Sequence, residues 1–314
     1  MIITVTPNSA LDLTLIYDSL VLDQVQPAAV TALSTAGKAA DAAFVLGALG
    51  IPCLATGFIA GTFGKKLVGM LESRGVITDF VEVEGETRIN TIVIDRSAKT
   101  MTTLTSDSLI VLPSDEEKLL RKIRALARFS GPLVTGGSLP AGVQPEFYAC
   151  LIRFAKKQHL PVIFDGSGEN LVAGLPERPD VIKPNQDELS AFVGREIRDS
   201  KDALAAARSI FEKQGVAVVA TLGKDGAVAV FNEGDYRLFP LAVESIVSAA
   251  GAGDAILAGL AVALDSQRPL VEGLILGAAA AAAVLLTPGT ADCRKADVLR
   301  LLSEVQIEKI SERS

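Results

Sequence analysis

The chain has 314 residues, with 30 Lys plus Arg against 37 Asp plus Glu, a formal net charge of −7. Its basic clusters are short, such as Lys65-Lys66, Arg121-Lys122 and Lys156-Lys157, so the basic footprint that a nucleic-acid partner needs is missing. At 49% hydrophobic and 21% charged, the composition suits a globular protein with a large core and excludes disorder as a main theme.

In chain order, MIITVTPNSALD has no basic segment ahead of an apolar run, so no secretory leader is expected and the protein is assigned to the cytoplasm. LDLTLIYDSL, VQPAAVTALS, RINTIVIDR and KTMTTLTSD then carry alternating or β-branched patterns, with one helical stretch, Ala39 to Leu49, between the two pairs. These strands, within about 9–35 and 86–106, predict a small sheet that projects as a lid or a dimer surface; extra edge strands of the main sheet are the alternative.

From about residue 110, helical patterns alternate with short apolar runs: EEKLLRKIRALARF then GPLVTGG, EFYACLIRFAKKQ then LPVIFDG, DALAAARSIFEKQG then VAVVATLG. That succession predicts an α/β core, helices on both faces of a parallel sheet, in one domain over 1–314. Ligands of such sheets bind beyond the carboxyl ends of the strands, here TGGSLP, FDGSGE, IKPNQDE and ATLGKDG. The most apolar stretch, Leu274 to Leu286, is shorter than the roughly 20 residues of a membrane span and reads as a buried helix. Cys53, Cys150 and Cys293 are isolated and odd in number, which predicts buried reduced thiols. His159, the one histidine, sits where a polar helix gives way to an apolar strand and reads as a helix-end residue; acid-base work then falls to carboxylates or lysines.

Two motifs can carry chemistry. In Ser248-Ala249-Ala250-Gly251-Ala252-Gly253-Asp254, small residues open a long apolar helix, whose first N–H groups and dipole favour an anion. Asp254 is then either a general base for a hydroxyl attacking a phosphate or a carboxylate that only stabilises the helix dipole. A dinucleotide fingerprint fails, since Ile256 stands where its third glycine is needed, and no Gly-Lys pair is followed by Ser or Thr as a Walker A loop requires. In Lys183-Pro184-Asn185-Gln186-Asp187-Glu188, Asn185 and Glu188 share a helix face and either hold hydrated Mg²⁺ or form a cap with an acidic first turn.

With these loops in order, the chain resembles the ribokinase-like (PfkB) family of carbohydrate kinases, from TPNSALD to the PGT at 288–290. GGSLPAGV (136–143), KPNQDELSAFVGRE (183–196), TLGKDGA (221–227) and AAGAGD (249–254) carry the similarity. It is greatest to the sugar-phosphate branch, which includes 1-phosphofructokinase, tagatose-6-phosphate kinase and the minor 6-phosphofructokinase. The resemblance implies a three-layer ribokinase-like fold with a mainly parallel central sheet and a small projecting β-sheet lid, an ATP- and Mg²⁺-dependent kinase, and a homodimer formed through lid strands.

By the same resemblance Asp254 is the catalytic base, and the N–H groups of Gly251, Ala252 and Gly253 form the anion hole. Lys183, Asn185, Thr221, Gly223 and Gly226 would line the ATP site, and Asn185 and Glu188 match the magnesium-associated NxxE. A K⁺ site, where the family has one, would use carbonyls near Ser248, Ala250, Val284, Thr287 and Gly289. Asp12, Gly37, Lys38 and Asp41 fall in the sugar site, and Arg88 matches an arginine that receives the substrate phosphate, a task suited to a permanently charged planar fork. The acceptor is then a ketohexose phosphate: fructose 6-phosphate, tagatose 6-phosphate or fructose 1-phosphate.

One motif departs from the family. The sugar-binding Gly-Gly-Lys-Gly-x-Asn-Val-Ala of this branch reads here Ala36-Gly37-Lys38-Ala39-Ala40-Asp41-Ala42-Ala43, which replaces an amide by an acid and leaves the acceptor open. An unphosphorylated sugar or a nucleoside, or a non-catalytic ATP-binding role, are the alternatives.

Overall fold

Short apolar runs closed by glycine turns become strands, and the amphipathic segments between them become the covering helices. The computed structural model describes residues 1–107, 109–127, 131–243 and 245–311. The first half holds β1 (Ile2–Thr6), β2 (Ala10–Tyr17), β3 (Val30–Ala36), α1 (Lys38–Leu49), β4 (Cys53–Ile59), α2 (Gly61–Ser73), β5 (Ile77–Thr78), β6 (Val81–Glu82), β7 (Arg88–Asp95), β8 (Thr100–Leu104) and α3 (Pro113–Ala127). Next come β9 (Leu133–Gly136), α4 (Glu146–Lys157), β10 (Val162–Asp165), α5 (Gly168–Gly174), β11 (Val181–Ile182), α6 (Gln186–Val193), α7 (Ser200–Gln214) and β12 (Ala217–Thr221). The chain continues through β13 (Ala227–Phe231), β14 (Gly234–Leu238), α8 (Ala252–Asp265), α9 (Leu270–Val284), α10 (Lys295–Leu302) and β15 (Ile307–Ser311).

Among the described residues the central sheet runs β15-β14-β13-β12-β11-β10-β9-β1-β4-β5, with β6 also paired to β4. From β12 through β4 its pairings are parallel, and β13, β14 and β15 add an antiparallel edge. Successive side chains leave opposite faces, so each inner strand feeds two cores. Ile2, Ile163 and Val219 pack with α1, α8 and α9 on one face, while Ile3, Phe164 and Val218 pack with α3, α4 and α7 on the other. Three layers result.

Helices α8 and α9 meet backbone to backbone, because a Cβ on Gly259 would lie 2.3 Å from both Gly273 O and Gly277 N. The alanine-rich run of α9 is therefore buried helix, as its composition predicts, and no helix among the described residues is long and apolar enough to cross a membrane.

The early strands form a sheet of their own, β3-β2-β7-β8, rather than extra edges of the central one. β2 and β7 are parallel in the middle, with Asp12 opposite Asn90, and β3 and β8 flank them antiparallel. One face, with Asp12, Thr14, Ile16, Asn90 and Ile92, is buried; Leu13, Leu15, Thr91 and Val93 on the other are partly open.

Three sequence expectations need comment. The helix read over 116–129 begins earlier, at Pro113, and its last two positions lie outside the described residues. Cys150 is exposed on α4 instead of buried; Cys53 and Cys293 are buried as expected. His159 does end a helix, at a positive φ of 59° in the turn after α4. The closing strand β15 has no counterpart in the sequence reading, since its residues are mostly exposed and it is ordered by pairing with β14.

Candidate active site

The site forms where α1, α6 and α8 begin, at the carboxyl ends of β10, β11 and β12. Gly251 sits at the N-cap of α8 with φ 78°, and a Cβ there would lie 2.3 Å from Ala291 N, so only glycine fits. The N–H groups of Gly251 and Gly253 donate to no acceptor among the described residues, as befits a helix start that awaits an anion. The Ala252 N–H instead leans on Ala249 O at 3.4 Å, so two of the three expected anion-hole donors are free.

Asp254 follows in the first turn of α8, and its carboxyl is pushed up to about 7. Burial is the main cause and the negative charge of Asp165 adds to it, while Lys183 and Lys38 pull the other way. A carboxylate near neutrality can take a proton from an alcohol and give it up again. Both readings of GAGD, a base and a helix-dipole carboxylate, are compatible with this position, and the raised carboxyl suits the first.

Asp165 is the residue the sequence reading left without a role. It closes β10, is 0% exposed, and receives Lys38 Nζ at 2.7 Å and Lys183 Nζ at 3.0 Å. Burial alone would raise its carboxyl, but the two lysines outweigh it and hold it below the usual range. Lys183, only 4% exposed, points its ammonium toward Gly253, so this lysine stands at the anion hole as well as beside the nucleotide loops. Lys38 also reaches Glu188 Oε1 at 3.2 Å, and these carboxylates with Asp254 keep it protonated against the cost of burial. The signal was present, an aspartate ending an apolar strand in FDGSGE, but its partners lie far away in sequence.

Asn185 and Glu188 form a capping box at the start of α6: Glu188 N donates to Asn185 Oδ1 at 2.8 Å and Asn185 N donates to Glu188 Oε2 at 2.9 Å. Every oxygen of the pair thus already accepts one hydrogen bond, and the acceptor capacity each retains suits a magnesium ion held through water rather than directly. Among the described residues no group of three or more Asp, Glu, His or Cys could hold a metal by itself. Asn185 also bridges to Thr221, and Gly223 and Gly226 turn the next loop with open space beside Gly223, so the expected nucleotide loops are neighbours.

On the acceptor side, Asp12 of β2 receives Asn90 Nδ2 at 2.8 Å and Thr290 Oγ1 at 2.7 Å. Burial raises its carboxyl in spite of these two donors. Gly37 caps α1, and Asp41 in the first turn of that helix takes the Thr35 hydroxyl at 3.1 Å. Arg88 opens β7 and is half-buried, donating from Nη2 to Ser138 Oγ at 3.2 Å, with its Nε buried and unpartnered. Asn8 Nδ2 donates to the same hydroxyl at 3.1 Å. Sequence reasoning quoted the loops of Asn8, Ser138 and Thr290 without assigning these residues, because short polar side chains in turns carry no periodic signal. The carbonyls expected for K⁺ come from loops that do meet: Ala291 N donates to Ala250 O at 3.1 Å, and Thr287 bonds back to Val284 O and Gly289 O.

A helix start with two unpaired N–H groups, a partly buried carboxylate in its first turn and polar side chains under a small sheet are the arrangement of the ribokinase-like class of phosphotransferases. The family model of pfkB family carbohydrate kinases matches residues 8–297. The chain is 34% identical over 281 residues to 1-phosphofructokinase of Escherichia coli strain K12, covering 89% of each, and 32% identical over 314 residues to that of Haloferax volcanii, covering 100% of both. Its fold is similar to the crystal structure of phosphofructokinase-2 from Escherichia coli in complex with potassium, with TM-score 0.87, 29% identity, and 96% of this chain and 98% of that one covered. The chain belongs to the PfkB family of carbohydrate kinases. Kinases of this family use ATP with a divalent metal.

Proposed function

We propose that the protein transfers the γ-phosphoryl group of ATP directly, in line, to a hydroxyl of a ketohexose phosphate: fructose 6-phosphate, tagatose 6-phosphate or fructose 1-phosphate. The observation that carries this reading is Asp254, its carboxyl pushed up to about 7 in the first turn of a helix where the N–H groups of Gly251 and Gly253 are unpaired. Asp254 accepts the proton of the attacking hydroxyl, and the N–H groups of Gly251 and Gly253 with the ammonium of Lys183 receive the negative charge that develops on the moving phosphoryl oxygens. When bound, Mg²⁺ held through water at Asn185 and Glu188 neutralises charge on the nucleotide phosphates. Asp165 fixes the two lysines and so positions charge without touching the reactants.

Arg88, with unpaired buried donor capacity beside Ser138, supports a phosphate on the acceptor. Relatives named 1-phosphofructokinase at full coverage support fructose 1-phosphate among the three. Residues 1–314 act as one kinase domain, the four-stranded sheet lies over the acceptor as a lid, and K⁺ is held by the carbonyls near Ser248, Ala250, Val284, Thr287 and Gly289. The cytoplasm, where ATP and sugar phosphates are found, is the expected location.

The test is acceptor-dependent ADP release with Mg-ATP across the three ketohexose phosphates, fructose, ribose and adenosine. A phosphosugar is expected to turn over, with kcat at least about a hundredfold lower in Asp254→Asn. Turnover on neutral acceptors alone would remove Arg88 from substrate recognition, and ATP binding without turnover would leave a nucleotide-binding relative.

A further inference from the structure

Residues 287–293 lie between α9 and α10 and form a strap that bonds to both halves of the site. Thr290 Oγ1 donates to Asp12 Oδ2 at 2.7 Å and Thr290 N donates to Ser34 Oγ at 2.8 Å, which ties the strap to two strands of the small sheet. The next residue serves the start of α8: Ala291 N donates to Ala250 O at 3.1 Å, and Ala291 lies so close to Gly251 that no side chain fits there. Any shift of the strap therefore moves a partner of Asp12 and the entry to α8 together.

The strap is held in a conformation that its own residues disfavour. Ala291 has φ 50°, in the left-handed region where a Cβ crowds the backbone. Among the described residues the other non-glycine positions with positive φ, Asp23, Lys99, His159, Arg178 and Gln267, are all exposed, whereas Ala291 is 0% exposed. Such a conformation persists only where the surroundings over-determine it. One hold is internal, the Thr287 hydroxyl on Asp292 O at 2.7 Å. Another comes from Arg74 at the end of α2. Its Nη1 donates to Cys293 O at 3.2 Å, its Nη2 donates to Asp292 Oδ1, and its guanidinium lies over the Phe44 ring of α1, 4.4 Å from the centroid. Gly47 makes room for it, since a Cβ there would lie 2.8 Å from Arg74 Cβ.

We propose that Arg74 is a positioning residue for phosphoryl transfer: it clamps the 287–293 strap, and through the strap it sets Asp12 against the helix start that carries Asp254. The proposal rests on the kinase reading, which gives the two ends of the strap their roles. The ion pair with Asp292 is 29% and 35% exposed on its two sides, and a pair so open to water adds little to stability. What it supplies is orientation, because the planar fork grips a carboxylate and a carbonyl of successive residues at once. Turnover depends steeply on how the attacking hydroxyl faces the phosphoryl group, so a loosened strap costs far more in rate than in stability. The nucleotide loops at Asn185, Thr221 and Gly223 take no bond from the strap among the described residues, so ATP binding is independent of it.

The test compares wild type with Arg74→Met, Asp292→Asn and the double variant in potassium buffer. Methionine keeps an apolar stem on Phe44, and asparagine removes the charge of Asp292 but keeps an acceptor oxygen. In Arg74→Met, kcat/KM for the acceptor is expected to fall about thirtyfold while the Kd of ATP changes by less than about twofold and the thermal midpoint stays close to that of wild type. The double variant is expected to be no worse than Arg74→Met, because the two residues act through one contact. Equal losses for acceptor and ATP, losses that multiply in the double variant, or no loss at all each overturn the proposal. Hydrogen exchange supplies a readout without turnover: the Thr290 and Ala291 amides are expected to exchange about tenfold faster in Arg74→Met, with those of α9 unchanged. Unchanged exchange at Thr290 and Ala291 overturns the proposal even where activity has fallen. Faster exchange in a protein whose wild type turns over no acceptor supports the clamp and places the failure in the kinase reading.

Discussion

At Asp254 the demands of catalysis and of folding oppose each other. Its carboxyl rises from an ordinary 3.8 to about 7 in the fold, so between these values the folded chain keeps a proton that the unfolded chain has lost. Stability therefore falls as pH rises through that window, and the cost is complete above it. Asp254→Asn, which cannot ionise, is expected to be more stable than wild type by about 2 kcal/mol at about pH 8, with the gain vanishing toward about pH 4. Thermal unfolding at the two pH values checks this. Under the proposed mechanism the base must be unprotonated, so kcat is expected to fall as pH drops below about 7. Asp165 behaves oppositely: its two lysines make it a fixed charge that does not titrate near neutrality.

At the scale of elements, α8 carries both the proposed anion hole and the proposed base, and its position depends on how tightly it lies against α9. Gly259, Gly273 and Gly277 remove side chains from that contact, and α9 contributes alanines around them. A Gly259→Val chain would have to separate the helices or displace α8. The expected cost is about 3 kcal/mol, seen as a lower urea midpoint with an unchanged slope. Helix α6 starts with a capping box that secures it, and the acceptor capacity left on the same two residues is what the proposed hydrated magnesium would use. The sequence left those two readings open, and the geometry makes them compatible.

For the whole molecule, the four-stranded sheet is the element to which shielding and assembly are both assigned under the proposed function. Its buried face supplies Asp12 and Asn90 to the acceptor pocket, while Leu33 and Leu104 on the other face are 39% and 57% exposed, beside Leu13, Leu15 and Val93. These apolar side chains, interspersed with Thr31, Thr91 and Thr102 on a sheet with free edges, suit covering by a second copy, which is the homodimer through lid strands expected from the family. Wild type is expected to sediment as a dimer and the double variant Leu33→Glu, Leu104→Arg as a monomer with raised acceptor KM. A dimer that survives both charges would place the interface elsewhere.

Order and type of the main elements were legible in the sequence, because a strand buried on both faces must be a continuous apolar run and its covering helix must be amphipathic. The glycine-rich start of α8, Asp254 within it and the NxxE box were legible for a similar reason: each is a local motif whose residues act together within one turn. Asp165 with its two lysines, Thr290 on Asp12, and Ser138 shared by Asn8 and Arg88 were not, since each pair is formed by residues more than a hundred positions apart or by loops from different strands. The sequence by itself determined which chemistry this chain can carry. Only the tertiary structure decided the surroundings of that chemistry, because burial and the charges of distant neighbours, not local residue type, push the Asp254 carboxyl up and hold the Asp165 carboxyl down.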